Sequence, residues 1–204
     1  MFTSALFRTF AALLVATAFC TGASAQQKKA ANPVDKKAAP ADKKAAPAEK
    51  KASSPTDQAV LLGQFGEWGA YKALPAGKKI CFALSKPTSS TTEPAGRTRD
   101  AAYAFVSTRP SEKVKNEVSV IVGYPQKPGQ DATAAIGSAT YAMYTQNDGA
   151  WVKNAAEEAQ MVDTMRKGAD LVVKSESARG TRTSDTFSLK GIAQALDKVA
   201  EECR

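Results

Sequence analysis

The sequence predicts a mainly β domain with two helices over residues 58–204, behind an export signal and a low-complexity segment. Most of residues 58–204 consists of short runs in which apolar and polar residues alternate, separated by glycine, proline and polar turns. Only two segments repeat their apolar residues at helical spacing. This part of the chain is long enough for one hydrophobic core, so we expect a single domain.

The first 25 residues have the three parts of a signal peptide. Arg8 provides the positive charge, and residues 10–19 form an apolar run of ten residues, which is too short to span a bilayer as a stable helix. Ala23-Ser24-Ala25 then matches the small-x-small pattern of a signal-peptidase site. We therefore predict cleavage before Gln26, a mature chain without a transmembrane segment, and a periplasmic or outer-envelope location.

A lipoprotein signal is the alternative, because Cys20 lies in the same region. Lipid attachment favours a small residue directly before the modified cysteine, and Phe19 is bulky. The Ala-Ser-Ala site is the better processing signal, so we favour soluble export.

Residues 26–57 repeat a short phrase four times, and each unit begins with Lys-Lys and contains a proline. The apolar content is nearly all alanine, so no face buries enough surface to offset the ordering of the backbone. We interpret the segment as a disordered tether. Its eight lysines against four acidic residues suit salt-sensitive contact with an anionic envelope, and a solvated spacer is an equal alternative. Nucleic acid is not an expected partner, because residues 58–204 carry no dense basic stripe.

The strands of the domain are predicted, in order, from the alternation of apolar residues and the turns between them. They lie at residues 62–68, 68–74, 79–84, 102–107, 116–122, 132–136, 139–145, 150–152, 171–175 and 183–189. Residues 85–99, rich in Ser, Thr and Pro, are predicted to form a polar loop. Asn147-Asp148-Gly149 is a turn signal between two of the strands.

Two helices are predicted from capping residues and apolar spacing. The first is capped by Asn154 with Glu157 as its capping-box partner, and it runs through Lys167 to a stop at Gly168. Its expected inward stripe is Ala155, Ala159, Val162 and Met165 or Arg166. The second covers residues 190–202, and its inward residues recur at helical spacing: Ile192, Ala195, Leu196, Val199 and Cys203.

Removal of the signal leaves two cysteines, Cys81 and Cys203. An isolated pair in an oxidising compartment is most simply a disulfide, which here joins the last helix to a strand. Two thiols without any histidine do not complete a zinc shell, so no metal and no cofactor are expected. The same absence of histidine excludes Ser-His-Asp and Cys-His catalysis. No catalytic residue is predicted, and we do not expect an enzyme.

Several phrases occur in a fixed order along the chain. They include Gly63-Gln-Phe-Gly-Glu-Trp-Gly-Ala-Tyr71, Lys79-Ile-Cys81, Gly123-Tyr-Pro125, Asp148-Gly-Ala-Trp151 and Ser177-Ala-Arg-Gly-Thr181. Together they resemble the invasion-associated locus B family of exported proteins from Gram-negative alphaproteobacteria, over about residues 60–204. Gln126, directly after Gly-Tyr-Pro, departs from the family pattern, in which an aromatic residue is expected.

The resemblance implies an immunoglobulin-like β-sandwich in the periplasm or on the envelope, and a role named from host-cell invasion. It supplies no catalytic residues. Among the residues themselves, types that dominate binding hot spots suggest a candidate recognition surface made of Arg109, Tyr124, Trp151, Arg179 and Arg182. For each aromatic residue, a place in the core is the structural alternative.

Three classes of function follow. The favoured one is a non-enzymatic envelope protein that binds another protein or an envelope polymer. The second is an assembly or chaperone-like factor for exported proteins, which an exposed sheet edge would support. The third is a carboxylate-dependent hydrolase of envelope material, which requires opposed acidic residues in a cleft.

Overall fold

The computed structural model describes residues 58–204, and it places eleven β-strands and two α-helices within them. The strands are β1 (Ala59–Phe65), β2 (Trp68–Ala73), β3 (Ile80–Ser85), β4 (Ser89–Glu93), β5 (Tyr103–Arg109), β6 (Val114–Ile121), β7 (Ala132–Ile136), β8 (Ala139–Gln146), β9 (Gly149–Val152), β10 (Asp170–Glu176) and β11 (Arg182–Ser188). The helices are α1 (Ala155–Met165) and α2 (Ile192–Glu202). The predicted mainly β class with two helices is confirmed.

All eleven strands belong to one antiparallel sheet, with the order β1-β2-β3-β5-β6-β9-β8-β7-β10-β11-β4. Every neighbouring pair is antiparallel, and β1 and β4 form the two edges. Because hydrogen bonds connect all the strands, the architecture is one continuous sheet. The immunoglobulin-like sandwich implied by the family resemblance stays a prediction.

Strands that are distant in the sheet order nevertheless meet across the core. The indole Nε1 of Trp68 in β2 donates a hydrogen bond to the carbonyl of Ser188 in β11 at 2.9 Å. Beside it, the amide of Glu67 donates to the carbonyl of Lys190 at 3.2 Å. Gly191 lies against the carbonyl of Phe65 with φ +95, where a Cβ would clash, so glycine is required at this contact. The sheet therefore curves so that β2 comes close to the end of β11, and its concave face encloses the core.

The core draws its largest side chains from both halves of the chain. The bulkiest fully buried residues are Trp68, Phe187, Met143, Met161, Met165, Leu171, Ile192 and Leu196. Small residues such as Ala70, Ala83 and Ala134 are also fully buried, which allows strands and helices to approach closely. Burial of this apolar surface is the main stabilising term of the fold.

Helix α1 begins at the predicted cap, since Asn154 Oδ1 accepts a hydrogen bond from the amide of Glu157 at 2.9 Å. The helix ends at Met165, two residues before the predicted end. The predicted inward stripe is wrong at Ala155 and Ala159, which are exposed, whereas Met161 joins Val162 and Met165 in the core. In the first turn it is Glu158 that reaches the sheet, where its Oε1 accepts a hydrogen bond from the amide of Val118 at 2.7 Å.

Helix α2 packs against β1, β2 and β3 with the predicted apolar face. At its end, Cys203 is bonded to Cys81 of β3, with 5.9 Å between the two Cα atoms, so the predicted disulfide is confirmed. Lys72 Nζ contacts Glu202 Oε1 at 2.7 Å, and Lys79 Nζ donates to the Glu202 carbonyl at 2.8 Å. The last turn of the helix is thus fixed by one covalent bond and two polar contacts.

Two predictions about the N-terminal half of the domain need correction. The polar loop predicted at residues 85–99 contains β4, which pairs with β11 at the edge of the sheet. Its Ser- and Thr-rich sequence lacks apolar alternation because an edge strand exposed on both faces does not need it. The strand predicted at residues 62–68 is instead the end of β1, the turn at Gly66 and the start of β2. Within residues 58–204, neither helix has the length and apolar character required to cross a membrane.

Candidate binding site

A cavity of about 710 Å³ opens where four segments of the chain converge. They are β4, the β4–β5 connection, the segment after β6, and the β10–β11 turn with the start of β11. The lining residues are Thr92, Arg97, Thr98, Arg99, Asp100, Gly123, Tyr124, Pro125, Ser177, Ala178, Arg179, Thr181 and Thr183. The cavity contains three arginines and a single carboxylate, so we call it the arginine cavity.

Arg99 is fixed in the wall of the cavity by the folded chain. Its Nη1 donates to the carbonyl of Val122 at 2.6 Å, and its Nη2 donates to Ser90 Oγ at 3.1 Å. The same Nη2 pairs with the carboxylate of Asp185, a fully buried residue of β11. Because these partners come from β4, the segment after β6, and β11, the guanidinium is pre-positioned by folding.

Tyr124 lies beneath Arg99 and is half-buried. The guanidinium carbon of Arg99 is 5.9 Å from the centre of the Tyr124 ring, within the range of a cation–π contact. The Tyr124 hydroxyl is 2.5 Å from Thr183 Oγ1, so the side chain is held by its hydroxyl as well as by the contact of its ring with Arg99. Gly123 adopts φ +76 directly against the carbonyl of Asp100, an approach that leaves no space for a Cβ.

Arg97 and Arg179 are the exposed arginines at the mouth of the cavity. Neither forms a salt bridge with another residue in the described part of the chain. The turn that carries Arg179 is well defined, because Ser177 Oγ accepts from the amide of Thr181 at 3.0 Å and the amide of Ala178 donates to the Pro125 carbonyl at 3.0 Å. A firmly held turn therefore presents a guanidinium without an internal partner.

The structure brings together two of the five residues of the candidate recognition surface. Tyr124 and Arg179 line the arginine cavity. Arg182 lies outside it on β11, 3.9 Å from Glu93 and 3.8 Å from Glu176. The binding role of these residues stays a prediction.

Arg109 and Trp151 lie elsewhere on the sheet. Arg109 contacts both oxygens of Glu117, at 3.0 and 2.8 Å, and also Glu112, at 2.7 Å. The hydrogen bond to Glu117 is the main cause that raises the pKa of Arg109. Trp151 of β9 stacks on Tyr144 of β8 with 5.6 Å between ring centres. Trp68, in contrast, is fully buried in the core.

Arg97, Arg99 and Asp185 are not among the site residues predicted from the sequence. Arg97-Thr-Arg99-Asp100 is a charged cluster in what was predicted as a loop, and that density of charge was the available signal. Asp185 occupies an inward position of β11, between Thr183 and Phe187, which are both buried. A charge at an inward strand position requires a partner and so indicates one elsewhere in the chain.

Gln126, which departs from the family pattern, is buried next to this region. Its Nε2 donates to the Gly149 carbonyl at 2.7 Å, and its Oε1 accepts from Ser175 Oγ. The amide thus connects the segment after β6 to β9 and β10, and its polar atoms are satisfied by the protein.

Metal binding has no geometric support in the described residues, since no three Cys, Asp or Glu side chains among them are close enough to share an ion. The arginines and hydroxyls that line the arginine cavity are groups that can donate hydrogen bonds to an anion. Guanidinium groups bind carboxylates and phosphates through paired N–H donors, and the surrounding hydroxyls of Thr92, Tyr124 and Thr181 offer further hydrogen bonds.

Comparison with known proteins identifies the family. Neither the curated proteins nor the solved structures include a match to this chain. One family model, described as Invasion associated locus B (IalB) protein, matches residues 72–200, which is more than half of the chain. The matched range includes the arginine cavity and Cys81 of the disulfide. The chain belongs to the invasion-associated locus B family.

Proposed function

We propose that the protein is an exported, non-enzymatic envelope protein that binds an anionic group of a protein or envelope polymer in the arginine cavity. The observation that carries the proposal is the convergence of Arg97, Arg99 and Arg179 on one cavity with Asp100 as its single carboxylate. Local positive potential of this kind attracts anions and speeds their association.

The three arginines have different roles in the proposed site. Arg99 is paired with the buried carboxylate of Asp185 and bonded to the Val122 carbonyl, so its charge is largely neutralised and it contributes mainly to the shape of the cavity. Arg97 and Arg179 are exposed and have no carboxylate partner in residues 58–204, so their N–H donors are available to a ligand. A planar carboxylate or a phosphate matches the paired donors of a guanidinium.

The location follows from the family and the N-terminal sequence. Members of this family are exported proteins, which supports the predicted signal peptide at residues 1–25 and cleavage before Gln26. Both features, and the tether at residues 26–57, lie outside the described residues. A tether with eight lysines and four acidic residues would favour anionic envelope partners, the same sign of charge that the arginine cavity selects. A role in host-cell invasion is the further proposal that the family name supports.

The test compares two variants that change charge at different places. Arg97→Gln combined with Arg179→Gln removes the exposed guanidinium groups of the cavity, and Arg182→Gln is the control because Arg182 lies outside it. Co-sedimentation of each purified protein with isolated envelope fragments measures binding. We expect the double variant to bind weakly, Arg182→Gln to bind like the unmodified protein, and raised salt to weaken binding.

Thermal unfolding of the same variants separates binding from folding. Exposed arginines away from buried contacts are expected to change the free energy of unfolding by about 0.5 kcal/mol or less. Full envelope binding by a folded double variant would contradict the proposed site. Saturable release of envelope fragments, abolished by Asp100→Asn, would contradict the non-enzymatic role.

An assembly function is the second candidate, supported by the edge strand β1. Val60 is 61% exposed and Leu61 is 51% exposed, and residues Ala59–Phe65 contain no charge. Uncharged, exposed edge strands accept a partner strand by main-chain hydrogen bonding. Val60→Lys would block such pairing, and unchanged capture of exported clients by this variant would exclude the assembly role. The hydrolase alternative gains no support from the arginine cavity, whose lining holds one carboxylate.

A further inference from the structure

A row of adjacent residues crosses the outer face of the sheet, away from the arginine cavity. Its members are direct cross-strand partners in six neighbouring strands: Gly69, Leu84, Phe105, Ser119, Trp151 and Tyr144. Direct partners in an antiparallel sheet point to the same face. None of these residues lines the arginine cavity. We call this set, together with Tyr71, the aromatic row.

The aromatic row is on the face opposite the core and both helices. Helix α2 is bonded to Cys81, three positions from Leu84 and therefore on the other face of β3. Helix α1 contacts Tyr141, whose hydroxyl is 2.8 Å from Thr164 Oγ1, and Tyr141 is likewise three positions from Tyr144. Tyr144 is 43% exposed. Tyr71, Phe105 and Trp151 are partly exposed, whereas Gly69, Leu84 and Ser119 are buried between them. The part of the aromatic row that faces outward from the described domain therefore consists of its four rings.

Two glycines allow the outer rings to lie close to the sheet. The ring of Tyr71 leans over Gly69, with Cε2 2.6 Å from where a Cβ would be. The indole of Trp151 covers Gly149 in the same way. Each glycine and its ring belong to a Gly-Ala-aromatic sequence, Gly69-Ala-Tyr71 in one case and Gly149-Ala-Trp151 in the other. The two sequences lie near opposite ends of the row. Because glycine has no side chain, the rings of Tyr71 and Trp151 lie directly against the backbone of the sheet.

The row is long. It runs from β2 to β8, which is five steps between neighbouring strands. At about 4.8 Å for each step, its length is about 24 Å. Trp151 and Tyr144 stack at one end with an angle of 23° between ring planes. At the other end, Tyr71 and Phe82 stack with an angle of 14°.

The aromatic row carries no charged side chain. It contains no Lys, Arg, Asp or Glu, and Ser119 places a hydroxyl between Phe105 and Trp151. A surface that binds lipid is normally bordered by free basic residues that contact the headgroups. Beside the row, Lys86 lies over the Tyr103 ring at 5.7 Å and Lys153 contacts Asp131 at 2.5 Å, so both of these cations already have partners. Pyranose rings combine an apolar C–H face, which stacks on aromatic rings, with hydroxyls at the rim that hydrogen-bond to polar side chains. We propose that the aromatic row binds a neutral glycan whose β-1,4-linked pyranose rings form an extended chain.

The experiment titrates the intact protein with chitohexaose and cellohexaose, which are extended β-1,4-linked chains. Maltohexaose, whose α-1,4 links make the chain coil, is the matched control ligand. Calorimetry measures affinity, and tryptophan fluorescence locates the site, because Trp68 is fully buried and Trp151 is the other tryptophan of the chain. We expect at least one extended hexasaccharide to bind and to shift the emission, and maltohexaose to bind at least tenfold more weakly.

Variants of the row test the assignment. Tyr144→Ala and Trp151→Ala are each expected to weaken binding about tenfold, corresponding to the loss of one aromatic stacking contact. Leu74→Ala is the control, because Leu74 is 59% exposed and lies outside the row. The exposed position of Tyr144 keeps the test valid if Trp151→Ala does not fold. Absence of binding by both extended chains, equal binding of maltohexaose, or unchanged affinity in folded Tyr144→Ala would overturn the proposal. Arg97→Gln with Arg179→Gln should leave this binding intact, which distinguishes it from the anion site.

Discussion

Asp185, fully buried in β11, is paired with Arg99 from the connection between β4 and β5. The second carboxylate oxygen of Asp185 has no hydrogen-bond partner among the described residues. The pair joins the wall of the arginine cavity to the core, since the same guanidinium also binds the Val122 carbonyl. We therefore expect loss of this contact to affect both the stability of the domain and the shape of the cavity.

Loss of Arg99 should destabilise the fold strongly. Arg99→Met leaves the buried charge of Asp185 without its counter-ion, a change that typically costs about 3–5 kcal/mol. Urea unfolding of the variant measures the loss. The double variant Arg99→Met with Asp185→Leu removes both charges and should recover a large part of it. A loss below about 1 kcal/mol in the single variant would show that the pair is not needed for stability.

The disulfide should contribute substantially to stability. Cys81 and Cys203 are separated by 122 positions. In the loop-closure model, cross-linking a loop of that size reduces the entropy of the unfolded chain and so raises its free energy by about 5 kcal/mol. Measured effects are commonly smaller, so we expect Cys81→Ser or Cys203→Ser to cost about 2–5 kcal/mol. Denaturant unfolding without reductant measures this difference. Thiol labelling of the unfolded, unreduced protein provides the control, and two reactive thiols would contradict the bond.

Acid should weaken the attachment of helix α2. The pKa of Glu202 is lowered, first by the hydrogen bond from Lys72, below its ordinary value of 4.5. A lowered pKa in the folded state means that the contribution of the pair is complete above pH 4.5 and is lost as the pH falls through the folded pKa. We expect Glu202→Gln to lower the melting temperature at neutral pH, and we expect this effect to shrink as the pH falls below 4.5 and through the folded pKa of Glu202.

Thermal melts across this pH range test the dependence. Glu201→Gln is the matched control, because Glu201 pairs with the exposed Lys198 on the same helix at 3.0 Å and does not contact β2. An effect of Glu202→Gln that is the same at neutral and acid pH would contradict the role of its charge.

Processing of the N-terminus is a prediction from residues outside the described domain. Ala23-Ser24-Ala25 predicts a mature chain that begins at Gln26. Intact-mass measurement of protein recovered from the envelope decides between this form and one acylated at Cys20. Deletion of residues 26–57 should then leave the melting temperature unchanged and reduce retention on the envelope, as raised salt should in the unmodified protein. Equal retention after deletion would contradict the proposed role of the tether.

The local features of the fold could be predicted from the sequence because they arise from near neighbours. The alternation in β6, the Asn154 cap and the apolar face of α2 all follow from spacings of a few residues. The disulfide was predictable for another reason, since removal of the signal leaves one pair of cysteines. The family could be recognised because its phrases follow one another in order, and all of those quoted above except residues 63–71 lie within the residues that the family model matches.

The sequence by itself thus determined the mainly β class, the two helices, the cysteine pair and the family. Only the tertiary structure decided which strands pair, because a strand such as β4 has no apolar pattern and exists through its hydrogen bonds to β11. The tertiary structure likewise brought Arg97 and Arg99 to Tyr124 and Arg179, and turned Trp151 outward onto Tyr144. A period of two residues establishes that side chains alternate between faces. Contacts between residues far apart in the chain determine which face encloses the core and which remains available for a ligand.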